Sequence, residues 1–309
     1  MGIPAVVGAR AAMTAAAAAT TLALAADAQA AFPGRDGLIA FTRAEGSESG
    51  QLYVIRPDGS GLRRITHRRH GAGGASWSPD GRRILFSSTP RRGGVQVFVN
   101  RLGGGVRQLT RGRDTYAYPA WSPSGKRIVA VRGHVARDGF QYESVVTMRA
   151  DGSRKRAIYS GGRLSTSYPA WSPDGKSIAF VHTDIGGTGA DPSVYVVPAA
   201  GGAARQVTDV GSQDQPDWSP DGRLLAYAYG NILAPEEIRV IRPDRTGDAP
   251  VTGSPSASAD TPAWAPSGRR LAISRGGRIW TVAPDGSGLR QLTRGRAGVY
   301  DWDPSWQPR

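Results

Sequence analysis

Short apolar runs recur along this chain, each bounded by Gly, Pro, Asp or Ser, and no stretch carries the period of an amphipathic helix. Six of them are alike: Ile39–Phe41, Ile84–Phe86, Ile128–Ala130, Ile178–Phe180, Leu225–Tyr227 and Leu271–Ile273. Each is short enough for a buried strand, and the flanking turn residues mark its ends. A second, more alternating run follows each: Gln51–Ile55, Val95–Val99, Glu143–Met148, Val194–Val197, Glu237–Ile241 and Arg278–Val282. Next comes a Gly-rich hairpin turn, such as Asp58-Gly59-Ser60-Gly61 or Asp285-Gly286-Ser287-Gly288, and then a short polar strand ending in Thr66, Thr110, Thr208, Thr252 or Thr293. The pattern predicts an all-β chain.

Ahead of the apolar runs stands a box: Trp77-Ser78-Pro79-Asp80-Gly81, Trp121-Ser122-Pro123-Ser124-Gly125, Trp171-Ser172-Pro173-Asp174-Gly175, Trp218-Ser219-Pro220-Asp221-Gly222 and Trp264-Ala265-Pro266-Ser267-Gly268. A shortened copy stands at Trp306-Gln307-Pro308, and the tryptophans are 44, 50, 47, 46 and 42 residues apart. A period of this length with four strands per repeat means propeller blades. In the box, Pro presets φ, Asp or Ser bonds its own backbone, and Gly supplies a positive φ, so it is the turn between the first and second strands. A proline two residues before the tryptophan (Pro119, Pro169, Pro216, Pro262, Pro304) cannot donate to a ladder and belongs on an edge strand, so the Trp strand is innermost, against the channel. One tryptophan per blade reads as core between blades, Trp302 being the exception that breaks the repeat.

Six second strands predict six blades. The first apolar run has no Trp strand before it and the Trp306 strand has no blade after it, so the Trp306 strand should complete the first blade and close the ring.

The box followed by Ile-Ala-Phe, a Tyr-Val strand, Asp-Gly and Leu-Thr resembles the TolB-type six-bladed propeller repeat over residues 38–308. The resemblance implies the fold. It leaves function open, because similar propellers occur as protein-binding modules, in prolyl oligopeptidase-like peptidases and in oligogalacturonate lyases. The peptidases need a Gly-x-Ser-x-Gly nucleophile turn, which this sequence lacks. The lyases use a histidine-rich metal site in the channel mouth.

Residues 1–30 differ from the rest. Arg10 precedes the Ala/Thr/Leu stretch Ala11–Ala26, and Ala28-Gln29-Ala30 is a small-x-small cleavage site. This predicts a secretory signal peptide cut after Ala30, and a propeller over residues 31–309 that is periplasmic, cell-wall-associated or extracellular. With no cysteine, disulfides, thiolate metal sites and a lipidated cysteine are excluded.

The longer, irregular connections share the face opposite the box turns, where a site is expected. Residues just before the inner strands should ring the channel mouth there: Asp114, Tyr116, Tyr118, Ser165, Tyr168, Gln213, Asp214, Gln215, Asp260, Tyr300 and Asp301. Tyrosines beside carboxylates and amides suit sugars or a peptide. No cofactor is called for. For a metal, His134, His182 and Asp184 are the weak candidates, and Asp260, Asp301 and Asp303 offer oxygen ligands to a divalent cation such as calcium.

Charge changes the picture most. The formal net charge is +14, and it is unevenly spread: residues 31–170 hold 24 Lys and Arg against 9 Asp and Glu, residues 171–309 hold 14 against 15. Arginines cluster as Arg63, Arg64, Arg68 and Arg69, as Arg91 and Arg92, and as Arg111 and Arg113. Such a half-ring attracts polyanions, and the planar guanidinium suits phosphate, sulfate and carboxylate. No nucleic-acid motif accompanies it. The expectation is an exported, monomeric, non-catalytic scaffold binding a protein or an anionic polymer of the cell envelope. The alternative is an enzyme, lyase or hydrolase, acting on an anionic carbohydrate at the mouth.

Overall fold

The computed structural model describes residues 32–163, 166–183, 191–209, 212–231, 234–253 and 257–309; residues 1–30, where the export signal is read, lie outside them. The described residues form six four-stranded antiparallel sheets, one per blade, and no helix long and apolar enough to cross a membrane. The inner strands are Gly73–Trp77, Thr115–Trp121, Thr166–Trp171, Ser212–Trp218 and Ala259–Trp264 in blades 2 to 6. Each is an edge of its sheet, as the prolines require.

The first blade is built from both ends of the described chain. Val299–Pro308 pairs antiparallel with Asp36–Glu45, so Trp306 lies opposite Ile39 and Asp301 opposite Arg43. Beyond the strand, Arg35 and Arg309 exchange backbone hydrogen bonds of 2.8 and 3.0 Å. The ring therefore closes as the unpaired run Ile39–Phe41 and the lone Trp306 strand demand.

The box turn shows why its residues recur. Ser172 N–H bonds Ser177 O and Gly175 N–H bonds Ser172 O, both at 2.9 Å, with Gly175 at φ +70°. Ser172 Oγ donates to Asp174 Oδ1 at 2.6 Å and accepts from Ser177 N–H at 2.9 Å, while Asp174 Oδ1 also accepts from Lys176 N–H at 3.0 Å. The threonines have a parallel task. Thr66 Oγ1 accepts from Leu52 N–H at 2.8 Å, and Thr110, Thr208, Thr252 and Thr293 serve Val97, Val194, Ile238 and Ile279 in the same way at 2.9–3.0 Å. This satisfies third-strand donors beyond the end of a two- or three-residue outer strand.

The core sits between blades. Trp77, Trp121, Trp171, Trp218, Trp264 and Trp306 are all buried in clusters with the apolar runs of neighbouring blades. Burying an aromatic of this size is worth roughly 2–3 kcal/mol, so the repeated tryptophan is the main glue from blade to blade.

Candidate functional site: the loop-face mouth of the channel

A feature without a signature in the box lines the channel. Three residues before each tryptophan the backbone is left-handed: Gly74 (φ 65°), Tyr118 (54°), Tyr168 (51°), Gln215 (54°), Thr261 (50°) and Asp303 (57°). The inner-strand register slips at the same place in every blade. Each is a β-bulge, which re-aims a side chain at the cost of local strain in the five non-glycine copies.

The bulge residues reach from blade to blade around the channel. The Tyr118 and Tyr168 rings lie 4.6 Å apart, and Gln215 Oε1 accepts from Thr261 N–H at 2.7 Å. Burial, with the nearby Asp214 and Asp303 carboxylates, pushes the Tyr168 hydroxyl pKa well up, and the neighbouring Gln215 side chain opposes the shift. Half-buried Trp302, from blade 1, packs with Tyr118 against the core cluster of blades 4 and 5 that contains Tyr168. Blade 1 faces blade 4 across a six-membered ring, so this aromatic contact spans the channel.

Carboxylates occupy the other side. Asp214 and Asp260 hold equivalent positions in blades 5 and 6 and are both half-buried. Burial, opposed by the Gln215 N–H and reinforced by Glu236 and Asp260, raises Asp214 to about 7; burial and Glu236 raise Asp260 to about 6. Deeper in blade 5, Asp217 is fully buried and accepts from Trp264 N–H at 2.6 Å, and burial holds its pKa well above the usual carboxylate range.

The other residues expected at the mouth divide. Asp301 is buried in a bidentate pair with Arg43, at 2.6 and 2.8 Å, and Tyr300 is 58% exposed on the rim. Tyr116 is buried in the core shared by blades 2 to 4, and Gln213 is buried accepting a 2.8 Å bond from Thr208 Oγ1; neither lines the channel with Tyr118 and Asp214. Asp114 is on the loop face, where His134 Nδ1–H donates to it at 2.8 Å and Arg132 lies 3.9 Å away. Ser165 and Asp184 lie outside the described residues.

The metal candidates are held separately. His134 is engaged with Asp114, while His182 stands edge-on to Tyr159 and Tyr195 at 5.4 and 5.3 Å. Among the described residues no three His, Asp or Glu side chains are grouped to hold a metal ion, Asp260, Asp301 and Asp303 included.

The arginines gather on the loop face of blades 2 and 3. Arg91 and Arg92 lie between the second and third strands of blade 2; Arg111 and Arg113 lie in the connection to blade 3, and all four are exposed. The two loops adjoin, since a Cβ on Gly93 would stand 3.7 Å from the Gly112 carbonyl oxygen. Among the described residues none of these four, nor exposed Arg63 and Arg69, has a carboxylate within 4.0 Å. Arg64 and Arg68 are instead used in folding: Arg64 donates to Thr66 O at 2.7 Å, and Arg68 donates to Ser88 Oγ at 3.3 Å and stacks 4.5 Å above Phe98. In blade 5 arginines find acids: Arg239 pairs with Glu237 and Asp248 at 2.7 and 3.0 Å, and Arg245 pairs with Asp209.

Known proteins share this architecture. The crystal structure of TolB from Acinetobacter baumannii superposes with a TM-score of 0.73 at 20% identity, over 88% of this chain and 67% of that one. A protein described as TolB from Agrobacterium tumefaciens gives 0.67 at 18% identity, over 88% of this chain and 100% of that one. An oligogalacturonate lyase in complex with manganese gives 0.53 at 17% identity, over 86% of this chain and 75% of that one. At these identities the likeness is one of fold. A sequence search of curated proteins finds no relative. The family model of the TolB beta propeller domain matches residues 20–156 and 134–309, and the chain belongs to that family.

Proposed function

We propose that this chain is an exported, monomeric, non-catalytic propeller scaffold that binds a protein or an anionic polymer of the cell envelope through the loop face of blades 1 to 3. One observation carries the reading: adjoining loops present Arg91, Arg92, Arg111 and Arg113, exposed and without a carboxylate partner among the described residues. An unneutralised cluster on a rigid frame is poised for an anion, because no internal ion pair must break before binding. The export reading rests on the signal pattern of residues 1–30.

A second reading, an enzyme on an anionic carbohydrate, has Asp214 and Asp260 in its favour as channel carboxylates whose pKa values of about 7 and about 6 suit acid–base chemistry. Those same carboxylates repel an anionic sugar from the mouth once ionised, which ranks this reading second. Retention on immobilised dextran sulfate, lost on replacing the four arginines by serine, supports the scaffold. Turnover of polygalacturonate that Asp214→Asn abolishes supports the enzyme.

A further inference from the structure

Blade 3 stands taller than its neighbours. Its second and third strands, Arg127–Val135 and Gln141–Arg149, have nine residues each, where those of blades 2 and 4 have six. The second strands of blades 2 and 3 start at the same distance from their tryptophans, so the three extra residues carry the blade 3 strands about 10 Å beyond those of blade 2. Its tip carries Val135, 63% exposed, and Phe140, 47% exposed. Val135 pairs with Gln141 and Ala136 N–H bonds Phe140 O, so the two apolar side chains leave opposite faces of the ribbon.

The tip is ordered from within. Gly139 N–H bonds Ala136 O at 3.1 Å, and Asp138 accepts from Phe140 N–H at 3.0 Å and from the Tyr142 hydroxyl at 2.6 Å. The stem is tied to the basic rim, because His134 bonds Asp114 of the connection that carries Arg111 and Arg113, with Arg132 3.9 Å from the same carboxylate. Around the hairpin the described residues of the loop face thus present Arg91, Arg92, Arg111, Arg113, Arg132 and Arg137 beside Asp114, Asp138 and Glu143.

We infer that this hairpin and its rim dock on an anionic lipid bilayer, with Val135 and Phe140 entering the headgroup–acyl boundary and the arginines meeting lipid phosphates. A soluble polyanion explains the arginines but gives no use to raised, exposed valine and phenylalanine; an interfacial surface uses both. The preformed turn removes the ordering cost of insertion. The inference rests on the proposed reading that the loop face of blades 1 to 3 binds anions, and it names the lipid surface as the partner.

The test is cosedimentation of the purified protein with vesicles of phosphatidylcholine, with and without phosphatidylglycerol, beside retention on dextran sulfate. Binding is expected only to the anionic vesicles. Val135→Ser with Phe140→Ser should weaken it about tenfold and leave dextran sulfate retention unchanged; each rim arginine replaced should cost about fivefold. The chain has no cysteine, so Phe140→Cys carrying an environment-sensitive dye should shift to the blue on anionic vesicles. Vesicle binding untouched by the double serine variant, or absent while dextran sulfate is still retained, overturns the bilayer inference and leaves the scaffold reading standing. Loss of both overturns both.

Discussion

Arg43 and Asp301 meet as a buried bidentate pair, Nε to Oδ1 at 2.6 Å and Nη2 to Oδ2 at 2.8 Å, across the two strands that close the ring. Asp301 also donates its N–H to Gly277 O and accepts from Ser274 Oγ through its carbonyl, which ties the seam to blade 6. The guanidinium lies 5.6 and 5.3 Å from the Phe41 and Tyr53 ring centres. Asp301→Ala leaves a buried cation without its partner and should destabilise the protein by about 3–5 kcal/mol in denaturant unfolding. The pair Arg43→Met with Asp301→Leu should cost less than either single change. A double variant as unstable as the sum of the singles would show that the pair does not act as a unit.

Closure was legible because an apolar run without a Trp strand and a Trp strand without a blade are complementary defects. Asp301 itself read as a mouth residue, since nothing local reveals a partner 258 positions away. Tyr116 and Gln213 are a related case: each is the second residue of an inner strand, ahead of the bulge, and strand alternation buries it. That bulge has no uniform residue, being Gly74, Tyr118, Tyr168, Gln215, Thr261 and Asp303 in turn, so only the backbone discloses it. Strand order and blade count, by contrast, follow from turn chemistry and proline placement, which act locally.

The channel carboxylates give stability a pH dependence of definite sign. Asp214 and Asp260 are raised in the folded protein, to about 7 and about 6, above an ordinary value near 3.9. The folded state therefore holds protons that the unfolded chain has released, and these groups lower stability as pH rises from about 4 to about 7. The turn aspartates Asp174 and Asp221, depressed in the folded state, act oppositely and withdraw stability as pH falls below about 4. Melting temperature should peak on the acid side of neutrality. Asp214→Asn should raise it at about pH 8 and leave it little changed at about pH 4, where the carboxyl is already protonated. An identical gain at both values would contradict the assignment.

The left-handed bulge predicts an inverted preference. Thr261, at φ 50°, is to be replaced by glycine and by alanine. Both lose the hydroxyl contact to Asp260 Oδ1 at 3.2 Å, but alanine keeps the backbone penalty and glycine does not. Thr261→Gly should be more stable than Thr261→Ala by about 1 kcal/mol, the reverse of the order in an ordinary strand. Gly74→Ala should cost a similar amount, measured by the same denaturant titration.

If the basic loop face of blades 1 to 3 is the binding surface, polyanion binding must weaken steeply with salt. Each anionic group neutralised by an arginine releases a condensed counterion, so the logarithm of the affinity for dextran sulfate falls linearly with the logarithm of salt, by about 0.7 per contact. Replacing Arg91, Arg92, Arg111 and Arg113 by serine should flatten that slope by about 3 and leave the melting temperature within a few degrees, as exposed substitutions do. The matched control replaces Arg223, Arg242, Arg269 and Arg270, four exposed arginines on the box-turn face of blades 5 and 6. The slope should flatten in the first variant and stay at the wild-type value in the second. Equal flattening in both, or a wild-type slope near zero, would contradict it.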